Sequence, residues 1–451
     1  MELNAIHKVY FVGIGGIGMS AIARYFANRG CLVCGYDKTR TNLTATLEAE
    51  GMDISYQDDV ATLPEPFLKV ESDTLIVFTP AIPRESVLLH YFSESGFSLK
   101  KRSEVLGIIS RGQFCIAVAG THGKTTTSSI ITHLLTDSGY GCTAFLGGIA
   151  TNYNSNFLLS DNNVVVVEAD EYDRSFLTLH PDITVITAMD ADHLDIYGDA
   201  AQLHESFQLF AKQLKGGGSL FKKQGLPLDH GISYSVGSDS NIRAANIGVE
   251  DASFVFDYVS EDITIVGLQL MLPGNHNVEN ALAAIAVALK LGISVEKIKS
   301  AVANFKGVKR RFEYIVNTKS KIYIDDYAHH PEELRACFDA VRQLYPEKKL
   351  TVIFQPHLFT RTRDFADGFA EVLSTVDELL LLEIYPAREL PLEGINSTFL
   401  LEKIHSKQKS LCNKDSVLER IENERPELLL TVGAGDIDTL IQPLKKLMTD
   451  D

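Results

Sequence analysis

Cysteine is scarce. Six in 451 residues are too few and too dispersed for a disulfide framework. Cys31-Leu32-Val33-Cys34 forms one CxxC with no second pair at zinc-ligand spacing. It lies on an apolar run, so its cysteines read as small core residues and a reducing compartment fits. Long apolar runs are also missing, and none approaches the roughly 18 residues that cross a bilayer. Met1-Glu2-Leu3-Asn4 lacks a basic stretch followed by an apolar one, so the reading expects no secretory signal and a cytoplasmic location. Basic charge is in deficit, with 42 Lys and Arg against 59 Asp and Glu and a formal net charge of −17. That balance argues against nucleic-acid or anionic-membrane binding. It leaves room for a local phosphate site, because screening acts over about 8 Å at physiological salt. Low-complexity tracts, long linkers and short-period repeats are absent. Nothing in the chain bears on oligomeric state.

The remainder is ordinary globular sequence, 45% hydrophobic and 22% charged. The length suits about three domains of roughly 150 residues. The spacing predicts an α/β protein of three domains, each built on a largely parallel sheet with flanking helices. Residues 1–106 read as a Rossmann-like domain, with a strand at His7–Val12, a helix from Met19 to Asn28, a strand at Cys31–Tyr36 and another at 75–78. Residues 107–306 read as a P-loop domain, with apolar strands at 114–119, 164–167 and 183–187. Alternation over 218–270 suggests a small added sheet, and 278–291 an apolar helix. Residues 307–451 read as a second Rossmann-like domain, with strands at 322–324, 350–354, 378–382 and 428–432.

The most informative segment is Gly120-Thr121-His122-Gly123-Lys124-Thr125-Thr126-Thr127, set between an apolar strand and a helix. Its glycines let backbone N–H groups approach phosphate, and the helix N-terminus adds a positive dipole end. Lys124 can reach β/γ-phosphates, and the Thr125 hydroxyl can ligate Mg²⁺. Val118 stands where the common Walker A motif has its first glycine. The bland alternative is a helix entry with a Thr-rich cap. Glu168 ends an apolar strand in the same segment, where an acid can hold Mg²⁺ against the phosphates. Asp170 and Glu171 follow it and read more simply as a solvated acidic loop.

Gly13, Gly15 and Gly18 match GxGxxG, and Asp37 lies 19 residues past Gly18. A diphosphate can therefore lie on the following helix N-terminus, from a nucleotide sugar as readily as from NAD. Asp190, Asp192 and His193 end the next central strand as metal ligands or a polar loop. Asn277 and Asn280 open the 278–291 helix, as caps or as groups that suit an adenine edge. In Lys309-Arg310-Arg311-Phe312-Glu313 a guanidinium can reach a γ-phosphate; otherwise it is hinge surface charge. Polar clusters at Asp325–Pro331, at Gln355–His357 before Arg361 and Arg363, and at Gly433–Asp436 end strands and outline one crevice.

Taken in order, these motifs resemble the Mur ligase family over nearly the whole chain. They are GIGGIGMS at 13–20, GTHGKTTT at 120–127, EADE at 168–171, DADHLD at 190–195, GNHNVENA at 274–281, RRFE at 310–313, DDYAHHP at 325–331 and FQPHLFTRTRD at 354–364. The resemblance implies a ligase of peptidoglycan synthesis that uses ATP and Mg²⁺. Its implied reaction joins L-alanine to the lactyl carboxylate of UDP-N-acetylmuramate through an acyl phosphate.

Site roles follow from the same resemblance. Gly120, Thr121, His122, Gly123, Lys124, Thr125 and Thr126 would hold the phosphates. Thr125 and Glu168 would hold one Mg²⁺, and His193 a second. His276, Asn277 and Asn280 would hold adenine, and Asp326 would also serve the nucleotide. Arg311 would contact the γ-phosphate. Gly15, Gly16, Ile17, Gly18, Met19 and Asp37 would hold the uridine diphosphate, and Tyr327, His329 and Arg361 the alanine. Leu358 departs from the pattern, because some alanine-adding members carry an Arg there. Rival readings are a recycling ligase that adds a tripeptide to the same nucleotide sugar, a nicotinamide-dependent oxidoreductase, and a non-catalytic nucleotide-binding regulator. The last two leave Lys124, Thr125 and Glu168 without work.

Overall fold

The computed structural model describes residues 3–449 except 84, 191–198, 238, 251–252 and 388. The first sheet comprises β1 (Lys8–Val12), β2 (Leu32–Tyr36), β3 (Asp53–Ser55), β4 (Thr74–Phe78) and β5 (Ser98–Lys101), in the order β3-β2-β1-β4-β5. Every pairing in it is parallel. Helices α1 (Ile17–Asn28), α2 (Asn42–Ala49), α3 (Val87–Glu94) and α4 (Arg102–Ser110) connect the strands. β1 is apolar along its length because both faces of a parallel sheet are covered. The strand order changes direction between β1 and β4, which opens a crevice at their carboxyl ends.

The second sheet contains β6 (Phe114–Ala119), β7 (Thr143–Ala150), β8 (Ser155–Leu158), β9 (Val164–Ala169), β10 (Ile183–Ile186), β11 (Ser219–Lys223), β12 (Ile232–Ser235), β13 (Ile242–Glu250), β14 (Ser253–Val259) and β15 (Thr264–Leu270). Their order is β15-β14-β13-β12-β11-β10-β6-β9-β7-β8. β6 lies between β10 and β9, parallel to both, so the loop after β6 and the acidic end of β9 are neighbours. The small separate sheet expected over 218–270 is not formed. β11 pairs in parallel with β10, Ile183 opposite Ser219, and β12 to β15 extend the same sheet. An open edge on β10 thereby finds partners for its N–H and C=O groups. The helices here are α5 (Lys124–Asp137), α6 (Ala200–Lys212), α7 (Asn275–Lys290) and α8 (Val295–Asn304).

The third sheet comprises β16 (Glu313–Asn317), β17 (Ile322–Asp326), β18 (Leu350–Phe354), β19 (Glu378–Leu381), β20 (Gln408–Leu411) and β21 (Leu428–Val432), in the order β16-β17-β21-β18-β19-β20. Only edge strand β16 is antiparallel to its neighbour. Helices α9 (Pro331–Leu344), α10 (Phe359–Asp364), α11 (Ala366–Leu373), α12 (Ser397–Lys403), α13 (Lys414–Glu424) and α14 (Ile441–Thr449) complete this region.

The three-domain α/β reading is met by these three parallel-rich sheets, yet the chain condenses into two compact units. One contains residues 1–247, 256–269 and 279–306, the other 248–255, 270–278 and 307–451. In the first unit both sheets share one hydrophobic core. Val9, Phe11, Ile22 and Phe26 from the N-terminal layer join Ala117, Phe145, Val165 and Phe176. Buried Arg24 on α1 pins this contact, donating to Glu50 at 2.8 Å and to Asn156 on β8. Asn156 in turn donates to Ile17 O at 2.6 Å and to Ser20 Oγ at 3.0 Å. Among the described residues, no helix is long and apolar enough to cross a membrane.

Candidate active site

β6 ends at Ala119, and the loop to α5 turns through Gly123, the helix N-cap, at φ 80°. That left-handed conformation favours glycine, and an added Cβ would stand 2.9 Å from Asn280 Oδ1. The first intrahelical bond of α5 is Thr127 N–H to Gly123 O, so the preceding first-turn amides lack helical acceptors. The loop leans on the end of β10. Thr121 N–H donates to Ala188 O at 3.2 Å, and Thr121 Oγ1 accepts Asp190 N–H at 3.1 Å. Asp190 also lies 3.9 Å from His122 Nε2. Lys124 folds back over the loop, donating to Gly120 O at 2.6 Å and to Glu171 Oε1 at 2.8 Å. Thr126 is buried in the first turn of α5.

Glu168 ends β9 opposite the loop. Thr125 Oγ1 donates to its Oε1 at 3.0 Å, and Gly147 N–H donates to its Oε2 at 2.9 Å. Burial pushes both Glu168 and Glu171 above the usual carboxylate range, while Lys124 pulls each of them back. Burial pulls the Lys124 ammonium down, but the facing carboxylates of Glu171, Asp170 and Glu168 outweigh it and raise its pKa. Three carboxylates crowd one ammonium, with Arg102 bonded to Asp170 at 2.9 Å as the second nearby cation. Such an acid-rich, partly desolvated cluster suits a hard divalent cation. The adjacent hydroxyl of Thr125 and carboxylate of Glu168 are a fitting oxygen donor pair. Among the described residues no set of three His, Cys, Asp or Glu side chains forms a metal cage. His193 and Asp192 lie outside the described residues.

Asn280 reaches the phosphate loop, where its Oδ1 accepts Thr127 Oγ1 at 3.0 Å. His276 and Asn277 share α7 with it but belong to the second compact unit. Asn277 does not cap the helix as expected, because α7 begins two residues earlier, at Asn275. Its side-chain amide instead donates to Pro273 O at 2.7 Å.

The N-terminal glycine turn follows β1. Asp37, the residue after β2, accepts Gly15 N–H on Oδ2 at 2.8 Å. A cavity of about 280 Å³ opens beside it, lined by Gly16, Ile17, Gly18 and Met19, by Arg102, and by Gly147, Glu168 and Asp170. The first turn of α1 and the acidic end of β9 therefore line one shared cleft. A larger open groove of about 840 Å³, with Lys100, Arg111 and His180 in its walls, contains none of the loop residues.

In the second unit, Arg310 and Phe312 adopt φ of 61° and 49°, uncommon for residues with a Cβ. Two buried aspartates hold this turn. Asp325 accepts Arg310 Nε at 3.0 Å, and Asp326 accepts Phe312 N–H at 2.7 Å. The other oxygen of Asp326 accepts Ala328 N–H at 2.7 Å. Asp326, expected beside the nucleotide, therefore has both oxygens engaged by backbone. Arg311 lies over the Tyr327 ring at 5.2 Å, and Arg310 at 5.3 Å.

His329 Nδ1 faces Tyr327 O at 2.9 Å and Glu333 Oε2 at 3.3 Å. Both are acceptors, so Nδ1 carries the proton and Nε2 the lone pair. Burial lowers His329 to about 4; Glu333 opposes this, and Arg361 and Arg311 add to it. Arg361, on α10, donates to His357 Nδ1 at 3.3 Å. The His329 and His357 rings lie 5.8 Å apart. Leu358, between His357 and α10, sits at φ 71°.

The structure thus gathers Lys124, Thr125, Glu168 and Asn280 at one loop, Gly16 to Met19 at one cavity, and Tyr327, His329, Arg311 and Arg361 in one cluster. Sequence reasoning missed Glu171, Gly147, Arg102 and Glu333. Glu333 was within reach, four residues after His329 at a helix start. For Glu171 the sequence favours a solvated acidic loop over a functional role, whereas the structure leaves it no exposed surface.

Sequence profiles describe the same organisation. Residues 8–114 match the Mur ligase family catalytic domain, 118–288 the Mur ligase middle domain, and 310–435 the Mur ligase glutamate ligase domain. The chain is 49% identical over 447 residues to the UDP-N-acetylmuramate–L-alanine ligase of Christiangramia forsetii, covering 99% of both chains. It is 51% identical over 446 residues to the enzyme of that name from Flavobacterium psychrophilum, again covering 99% of both. Among solved structures it is similar to the UDP-N-acetylmuramate-alanine ligase of Thermotoga maritima, with a TM-score of 0.83, 26% identity, and coverage of 97% of this chain and 98% of that one. A murein peptide ligase from Psychrobacter arcticus shares the fold, with a TM-score of 0.70, 22% identity and 99% coverage of both chains. The chain belongs to the Mur ligase family. Its full-length relatives at about half identity carry the name of the alanine-adding ligase.

Proposed function

We infer that the chain is an ATP-dependent ligase that joins L-alanine to the lactyl carboxylate of UDP-N-acetylmuramate, an early step of peptidoglycan precursor synthesis. The observation that carries this reading is the likeness, near 50% identity over 99% of both chains, to ligases named for that reaction. The peptide-adding alternative is supported less: two murein peptide ligases of solved structure are 22% and 25% identical to the chain with TM-scores of 0.70 and 0.60, against 0.83 for the alanine ligase.

Joining a carboxylate to an amine in water is uphill, so ATP must activate the carboxylate. A carboxylate oxygen attacks the γ-phosphorus, ADP leaves, and an acyl phosphate forms. The amine of alanine then attacks the acyl carbon, and the phosphate departs with the bridging oxygen. The amine proton must be lost in that second step. The protein contributes position and charge rather than covalent chemistry. Lys124, with the loop amides of Gly120 to Thr126, is assigned to the ATP phosphates, where its ammonium offsets charge on the transferring group. Glu171 holds that ammonium charged and aimed. Thr125 and Glu168 are assigned to one Mg²⁺, which when bound would neutralise phosphate oxygens; His193 is assigned to a second. His276, Asn277 and Asn280 are assigned to adenine, and Arg311 to the γ-phosphate. Asp326 serves the nucleotide indirectly, by fixing the turn that carries Arg311. Gly15 to Met19, with Asp37, are assigned to the uridine diphosphate.

Tyr327, His329 and Arg361 are assigned to alanine, with the guanidinium facing its carboxylate and the neutral Nε2 of His329 accepting from its amine. We place domain boundaries near 106 and 306, and the protein in the cytoplasm, a reducing compartment that suits its free cysteines.

The test is phosphate release from ATP with Mg²⁺ and UDP-N-acetylmuramate, adding L-alanine or the tripeptide in parallel. Release that needs the nucleotide sugar and rises only with L-alanine is expected. Stimulation by the tripeptide alone would assign the protein to recycling instead.

A further inference from the structure

The helix that carries Arg361 is too short to hold itself. α10 spans six residues, Phe359–Asp364, which is less than two turns. Helices of that length are not stable alone in water, so their order comes from tertiary contacts. The first helical bond of α10 is Thr362 N–H to Leu358 O at 3.1 Å, which leaves the amides of Phe359, Thr360 and Arg361 without helical acceptors. Leu358, at the N-cap, has no polar side-chain atom to offer them, and its φ of 71° is uncommon for a residue with a Cβ. The other arginine of the helix, Arg363, is turned to Asp364 at 2.7 Å.

The missing cap comes from the segment after β19. Glu389, half-buried, accepts Thr360 N–H on Oε2 at 3.0 Å and the Thr360 hydroxyl on Oε1. A carboxylate there sits where the first turn of a helix favours negative charge. The same segment grips the approach to the helix. Tyr385 N–H donates to Pro356 O at 2.8 Å, and Leu358 N–H donates to Tyr385 O at 3.0 Å. The Tyr385 ring stacks on His357, with centroids 5.9 Å apart and planes at 17°. Tyr385 is itself seated on Gly435, where an added Cβ would stand 2.6 Å from the tyrosine Cβ. The neighbouring Asp436 accepts Gln355 Nε2 at 2.7 Å, two residues before His357.

We propose that Glu389 is a positioning residue for the amino-acid substrate: it caps α10 from outside the helix and so fixes the direction in which Arg361 presents its guanidinium. This rests on the assignment of Tyr327, His329 and Arg361 to alanine. Glu389 acts through the helix and not on the substrate. Direction matters because a guanidinium is a planar fork that matches a carboxylate in few orientations, unlike a point charge. Arg361 also donates to His357 Nδ1 at 3.3 Å, so a rotation of α10 would cost it that partner as well.

The experiment is steady-state phosphate release by the full-length protein, with L-alanine, ATP and UDP-N-acetylmuramate varied in turn, for wild type, Glu389→Ala and Glu389→Gln. Losing a charge-assisted cap predicts that Glu389→Ala raises the KM for L-alanine about tenfold, with the KM for ATP and for the nucleotide sugar within about twofold. Glutamine keeps an oxygen for the Thr360 amide, so Glu389→Gln should raise the alanine KM only about threefold. It carries the test if the alanine variant does not fold. An L-alanine KM equal to wild type in both variants would overturn the proposal. So would equal rises in all three KM values, the mark of a role in stability alone. A wild-type protein whose phosphate release needs the nucleotide sugar but ignores L-alanine would overturn the alanine reading beneath it as well.

Discussion

Single residues carry most of the chemistry argued for this chain, and their environments set what they do. Lys124 stays charged because three carboxylates face it in a buried setting, against the pull of desolvation. Lys124→Ala should lower ligation by a hundredfold to about a thousandfold, the range for removing a preorganised charge-stabilising group, while nucleotide-sugar affinity holds. Phosphate release and calorimetry separate the two effects, and ligation at the wild-type rate would remove Lys124 from the reaction. His329 makes a prediction in pH. Its folded pKa is lowered to about 4 from 6.5, so between those values the unfolded chain binds a proton that the folded chain refuses. Its contribution to stability is therefore lost as pH falls through that window. Asp325, pushed up by burial to about 6 from 3.8, acts in the opposite sense over an overlapping range, so only a comparison of variants isolates the histidine. From pH 6.5 to 4.5 the Tm of His329→Gln should fall less than that of wild type, and parallel falls would refute the assignment. Glu333 shows where sequence reading stopped short. The Asp325–Pro331 cluster was visible as a motif, but the tautomer of its histidine depends on a carboxylate brought back by the first turn of α9.

At the scale of elements, the informative devices are turns that aim side chains. The glycine loops were legible because a backbone approaching phosphate needs residues without a Cβ, and that requirement is written in the sequence. The turn at Arg310–Phe312 was not, since its positive φ values are imposed by Asp325 and Asp326 from the end of β17. Asp326→Ala would leave two buried amides without acceptors, at a cost of about 2 kcal/mol or more. Thermal melting should show that loss. The KM for ATP should rise as Arg311 loses its placement, and an unchanged KM would leave Asp326 a purely structural role. Strands β11 to β15 give the complementary lesson. Their alternation announced strands correctly, but which sheet they join depends on the parallel pairing of β11 with β10, which no local pattern encodes.

At the scale of the molecule, the sequence led to three domains, and the three sheets are there. Composition and motif order could not reveal that the first two share one hydrophobic core, pinned by Arg24, Glu50 and Asn156. That contact depends on which apolar faces meet, and periodicity reports only that such faces exist. The shared core predicts two unfolding transitions in calorimetry, with the N-terminal and central sheets melting together. Arg24→Ala should lower only the transition of that unit, by stranding Glu50 and Asn156. Three separate transitions in the wild type would contradict the shared core.

The central claim is that the carboxylate of the nucleotide sugar is activated by phosphoryl transfer before the amine arrives. It is tested most directly by supplying UDP-N-acetylmuramate labelled with ¹⁸O in both lactyl carboxylate oxygens, with ATP, Mg²⁺ and L-alanine, and weighing the products. One ¹⁸O in each released phosphate and one in each new amide is the predicted result. Unlabelled phosphate, with the label lodged in a nucleotide monophosphate or retained entirely elsewhere, would contradict it.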